Sequence, residues 1–218
     1  MPVPRLLLLI ATLVVLAIFV QFGLVSIAFE KLGLSRGSAY LLLLTTLVGS
    51  VINLPLFSIA ADPDVVEPPQ QELYKLLGVP RLKFTGRTVI AINVGGAVVP
   101  MAFSLYLLLH NPLDPLQAAE VVAIVAAIAY VTSRPIRGVG IGMPMLLAPL
   151  AAALSSMLIN PDLAAPLAYI GGTLGVLIGA DLLRLGSIRK LGAPIASIGG
   201  GGSFDGIFLS GMLAVLLA

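Results

Sequence analysis

The chain has 218 residues, of which 59% are hydrophobic and only 10% charged, with a net charge of +2. A soluble chain carries about 25% charged residues, so this composition excludes an ordinary water-soluble domain and implies an all-α, polytopic membrane protein forming one transmembrane domain over residues 1–218. There is no cysteine, which excludes disulfides and thiolate metal sites, and the single histidine, His110, cannot make a zinc centre alone, so neither metal nor cofactor is expected. The small positive charge gives no reason to expect nucleic acid. The expected partner is the lipid bilayer of a cell membrane.

Seven apolar stretches approach the roughly 20 residues that a membrane-spanning helix needs. In chain order they are Leu6–Phe29, Ser38–Ala60, Thr88–Leu109, Gln117–Ser133, Gly138–Ile159, Leu163–Leu185 and Leu191–Ala218. The first begins after Arg5 and is longer than the apolar region of a signal peptide, so an uncleaved helix is expected, with cleavage after Ala28 as the alternative. Between the second and third lies the one long loop, residues 61–87. It opens with the turn-rich ADPDVVEPP and continues with QQELYKLLG, where Leu73, Leu76 and Leu77 share a helical face. That pattern fits either a short interfacial helix or a solvated connector.

Seven spans place alternate loops on opposite sides and sort the basic residues. Arg5, Lys75, Arg81, Lys83, Arg87, Arg134, Arg137, Arg184, Arg189 and Lys190 fall on one side, and only Lys31 and Arg36 on the other. The positive-inside rule then makes the N-terminus cytosolic and the C-terminus external. With that orientation, Asn53 and Pro55 lie toward the cytosolic end of the second span, Asn93 with Gly95 and Gly96 near the start of the third, and Pro144 in the inner part of the fifth.

Two carboxylates sit in the last two spans. At ~1.5 Å per residue, Asp181 is roughly 27 Å from Leu163, and Asp205 roughly 20 Å from Ala218. On adjacent antiparallel helices the two would therefore share a depth in the cytosolic third of the bilayer. Four glycines, Gly199, Gly200, Gly201 and Gly202, precede Asp205. Each costs about 1 kcal/mol against alanine in a helix, so an unwound segment is expected, with a new helix starting near Ser203. Unwound backbone survives at such depth only where protein buries it or water reaches it. Other readings stay open: Asp181 is spaced to pair with Arg184, and Asp205 to serve a helix start. Gly171, Gly172, Gly175 and Gly179 suit close helix packing.

Two aspartates that meet in a poorly hydrated site share a proton, one acting as base toward water and the other as acid toward a carbonyl. The stretch from Gly202 to Ser210, GSFDGIFLS, resembles the signature of the GxGD intramembrane aspartyl proteases, the presenilins and signal peptide peptidases. That resemblance implies a presenilin-like hydrolase with Asp205 and Asp181 as catalytic dyad and a transmembrane peptide as substrate. The glycine run, Asn53 and Asn93 would line the groove. Phe204 stands where those proteases carry glycine, and Pro55 or Pro144 would take the part of their Pro-Ala-Leu segment. Over nearly the whole chain, segments such as INLP, AINVGGAVVP, GVGIGMP and YIGGTLGVLIGADLL resemble a family of small archaeal and bacterial membrane proteins of unknown function. Two other classes fit the same residues: a cation- or proton-coupled transporter binding its ion at broken helices, and a non-catalytic membrane scaffold.

Overall fold

The computed structural model describes residues 23–62 apart from residue 25, then 84–136, 140–200 and 206–218. Most of the expected first span and most of the 61–87 loop, including its QQELYKLLG segment, lie outside the described residues. The remainder is mostly helical, with five strands among the described residues.

A helical segment at residues 26–31 leads through a tight turn into α1 (Arg36–Gly49), which Ser35 caps by accepting the Ser38 N–H at 3.2 Å. Strands β1 (Asn53–Ala60) and β2 (Arg87–Asn93) follow. A π-helical turn (Val94–Val98) then runs into α2 (Val99–His110). Next comes α3 (Pro115–Thr132), begun by an Asp114 cap with proline in the first turn, where a missing N–H does no harm. A short hairpin, β3 (Arg134–Ile136) with β4 (Gly140–Gly142), precedes α4 (Leu147–Ile159). Helix α5 (Ala164–Val176) continues as a second π-helical stretch (Leu177–Leu182). Strand β5 (Ile195–Ile198) and α6 (Gly206–Leu217) complete the chain.

Helix α5 is the axis of the bundle, packed against α2, α3, α4 and α6. An 18-residue stretch within Pro161–Leu182 has 78% of its residues buried, against 28% for Pro115–Thr132 on the periphery. Its glycines explain how neighbours come so close. Gly171, Gly175 and Gly179 recur every fourth residue along one face and receive Val121, Val125 and Ala126 of α3, while Gly172 receives the backbone of α6 at Ser210. The packing reading of these glycines therefore holds.

Four of the expected spans need correction. Ser38–Ala60, Thr88–Leu109, Gly138–Ile159 and Leu191–Ala218 are each helical over only part of their length, and each gives a strand to a sheet: β1, β2, β4 and β5. Hydropathy cannot separate an apolar strand from an apolar helix. Local chemistry decides here. Val89, Ile90 and Ile92 make β2 rich in β-branched residues, and Pro55 is tolerated because β1 is an edge, with a bulge between Pro55 and Phe57. The order is β1-β2-β5, with β1 antiparallel and β5 parallel to β2. Asn53 stands opposite Asn93, and Ala91 opposite Ser197.

Among the described residues, Pro115–Thr132 and Pro161–Leu182 are long and apolar enough to cross a membrane, which suggests membrane association. The apolar helices Val94–His110, Leu147–Ile159 and Ile207–Leu217 are shorter.

Among the described residues, two basic side chains close helices at opposite ends of the bundle. Arg184 donates to the Tyr130 carbonyl at 2.5 Å and to Ser133 Oγ at 3.2 Å, its guanidinium 4.3 Å from the Tyr130 ring, so it closes the C-terminus of α3 at the sheet end. Lys31 closes the opposite end, donating to the carbonyls of Val215 and Leu216 at 3.3 and 3.4 Å.

The α3–α5 seam predicts that Gly179→Ala, whose methyl would enter the backbone at Ala126, lowers stability by about 1–3 kcal/mol. Exposed Gly186, with open space around it, should accept alanine without loss. Thermal unfolding of the detergent-solubilised protein compares the two.

Candidate functional site

The polar residues of the sheet end converge where β1 begins and where β2 and β5 finish. Asn93, 1% exposed, is the hub. Its side-chain amide donates to the Ser50 carbonyl at 2.7 Å and to Asn53 Oδ1 at 3.1 Å, while its own Oδ1 accepts the Gly96 N–H at 2.7 Å. Asn93 thus caps the π-helical turn that starts α2 and holds the end of α1 against it. Asn53 Oδ1 takes a second hydrogen bond, from Ser197 Oγ of β5 at 2.5 Å.

Two residues after Ser197 the chain leaves the sheet. Gly199 and Gly200 have φ of +79° and +85°, a region that residues with a Cβ rarely enter, so the glycines here are conformationally required. The expected unwinding is found at these two positions, and Gly201 and Gly202 lie outside the described residues. Gly199 is buried between two interrupted helices. Its N–H donates to Asp181 Oδ2 at 3.2 Å, and its carbonyl lies so near Gly96 that a methyl there would run into it. Gly200 turns its N–H back to the Ser197 carbonyl at 3.2 Å.

Asp181 is half-buried within the π-helical end of α5. Such one-turn widenings of a helix are frequent at functional sites. Arg184, its expected ion-pair partner by spacing, has its guanidinium on α3 as described above. Asp205 precedes α6 directly in sequence and lies outside the described residues. Just past it, Ile207 is packed in the same buried cluster as Ala97, Ala180 and Ile198.

The structure therefore brings together Asn53, Asn93, Gly199, Gly200 and Asp181. It sets two others apart: Pro55 is exposed on the edge strand, and Pro144 is exposed between β4 and α4. Ser197 and Ser50 were missed by sequence reasoning. For Ser197 the available signal was a lone hydroxyl inside the apolar run IASI; for Ser50, which contributes a backbone carbonyl, there was none. Among the described residues no three His, Cys, Asp or Glu side chains are grouped to hold a metal ion.

The hub predicts that Asn93→Ala, which strands the Gly96 N–H and the Ser50 carbonyl, destabilises the protein by about 2 kcal/mol or more. Denaturant titration in detergent followed by circular dichroism measures the loss.

Comparison with known proteins gives one family. The profile described as "Protein of unknown function (DUF1614)" matches residues 47–217. Neither a curated protein nor a solved structure matches.

Proposed function

The chain belongs to this family of unknown function, and on that premise we propose that it is a polytopic intramembrane aspartyl hydrolase of presenilin type, with Asp181 and Asp205 as the dyad. One observation carries the reading. The Asp181 carboxylate accepts the N–H of Gly199, so the end of α5 is tied to the glycine segment whose Gly199 stands six residues before Asp205, at the start of α6.

In this mechanism the ionised member of the pair takes a proton from water as the water oxygen attacks the scissile carbonyl carbon. The protonated member gives its proton to the carbonyl oxygen. The tetrahedral diol then collapses, the C–N bond breaks and the leaving nitrogen receives a proton from the dyad. The chemistry asks for no metal. It asks for water, and the half-buried setting of Asp181 at the sheet end gives a route for it.

For the membrane, the proposal keeps seven crossings with a cytosolic N-terminus. Several crossings combine a short helix with a strand, and the sheet end, bearing Arg87, Arg134, Arg184 and Arg189, faces the cytosol. In this reading β2, paired on both sides and buried, reaches furthest inward, while the edge strands β1 and β5 lie at the cytosolic interface, where water meets their free backbone groups.

The test is cleavage of a reporter transmembrane peptide by the purified protein in liposomes. Asp181→Ala and Asp205→Ala should each reduce turnover at least a thousandfold while the protein elutes and melts as the parent does. Cleavage persisting in both variants ends the reading. Because the chain has no native cysteine, single cysteines placed at Arg189 and Arg36 should label from opposite sides of the membrane in spheroplasts, cytosol-facing for the first.

A second reading, an ion-coupled transporter, draws on the two π-helical interruptions and the unwound glycines around Asn53, Asn93 and Asp181. Solute uptake into proteoliposomes driven by a sodium or proton gradient, and abolished by Asp181→Asn, would favour it over hydrolysis.

A further inference from the structure

The side chains of Asn53, Asn93 and Ser197 come from all three strands of the sheet. The pairing of Asn53 with Asn93, and of Ala91 with Ser197, puts the three on one face, since side chains two apart on a strand share a face. Ala91, between the outer strands, has only a methyl group there. Asn53 and Ser197 reach over it and bond to each other.

The consequence lies two residues further along β5. Gly199 has no Cβ to pack and takes a left-handed conformation, so nothing in its own chemistry fixes where its N–H points. Its position is inherited from Ser197 on one side and from the Gly96 backbone on the other. Both of these lead back to Asn93, directly through the Gly96 N–H and through Asn53 to Ser197.

We infer that Asn53 is a positioning residue: by clamping Ser197 it sets the height of β5 and so delivers the Gly199 N–H to Asp181. This replaces the substrate-lining role expected for Asn53 from sequence, and its catalytic consequence rests on the aspartyl-hydrolase reading. The two asparagines differ in what they use. Asn53 contributes an acceptor oxygen to both bonds, whereas Asn93 uses both amide hydrogens and its oxygen. An aspartate can replace the first and not the second, because a carboxylate accepts and does not donate.

The experiment uses the full-length protein in nanodiscs with two readouts: amide hydrogen exchange of peptides covering Gly199, and turnover of the reporter transmembrane peptide. Asn53→Ala and Ser197→Ala should each speed exchange about tenfold, the effect of losing roughly one hydrogen bond. Each should also lower kcat about tenfold with KM unchanged. Asn53→Asp should restore both readouts to within about twofold of the parent, and Asn93→Asp should restore neither. Folded Asn53→Ala with parental exchange at Gly199 overturns the inference, as does Asn53→Asp behaving like Asn53→Ala. Should Asn53→Ala fail to fold, Ser197→Ala and Asn53→Asp decide the question. If the parent cleaves no peptide, the function proposed above fails, and the exchange arm still decides whether the clamp exists.

Discussion

Several apolar segments of this chain stop being helical before they stop being apolar, and the backbone groups released there must find partners. An unpaired N–H or C=O away from water costs as much as a lost hydrogen bond. The sheet β1-β2-β5 answers that constraint. It takes the backbone of three such segments and pairs it laterally, with β2 in the middle and buried. The organisation of the sheet end follows: helices fill one end of the bundle, strands the other, and polar side chains gather at the joint between them.

The joint is held by amide side chains. Asn93 caps a widened helical turn, fastens the end of α1 and reaches Asn53, and its bonds to the Gly96 N–H and the Ser50 carbonyl stand in for ones that a continuous helix would have made within itself. Glycine is the second ingredient. At Gly96 and Gly199 two backbones approach more closely than any Cβ would permit, and at Gly175 and Gly179 the same holds between helices. Asn and Gly together make the breaks affordable in an otherwise apolar interior. Asp181 then sits at the border, half-buried, receiving a backbone N–H from the segment that the sheet has shaped.

Basic side chains close helices at both ends of the bundle. Among the described residues, Arg184 closes α3 at the sheet end, and Lys31 closes α6 at the far end, each on helix carbonyls that lack intrahelical partners. Asp181 and Arg184, three residues apart, illustrate the difference between spacing and contact. The spacing allows a pair, but the guanidinium is turned toward Tyr130 and Ser133 because a helix terminus there offers a carbonyl and an aromatic face.

The sequence by itself determined the apolar, mostly helical character of the chain, the glycine seam of α5, the break at Gly199 and Gly200, and three of the polar residues that meet at the sheet end: Asn53, Asn93 and Asp181. These are local properties: hydropathy, the conformational cost of glycine, and the rarity of amides and carboxylates in apolar runs. Tertiary structure alone decided that segments such as INLPLFSIA and TVIAIN are strands, because pairing partners lie far along the chain and a short apolar run does not by itself separate strand from helix. It also decided which side chains meet. Asn53 and Ser197 are separated by 144 positions, and only the register of a parallel strand against an antiparallel one brings that amide and that hydroxyl together.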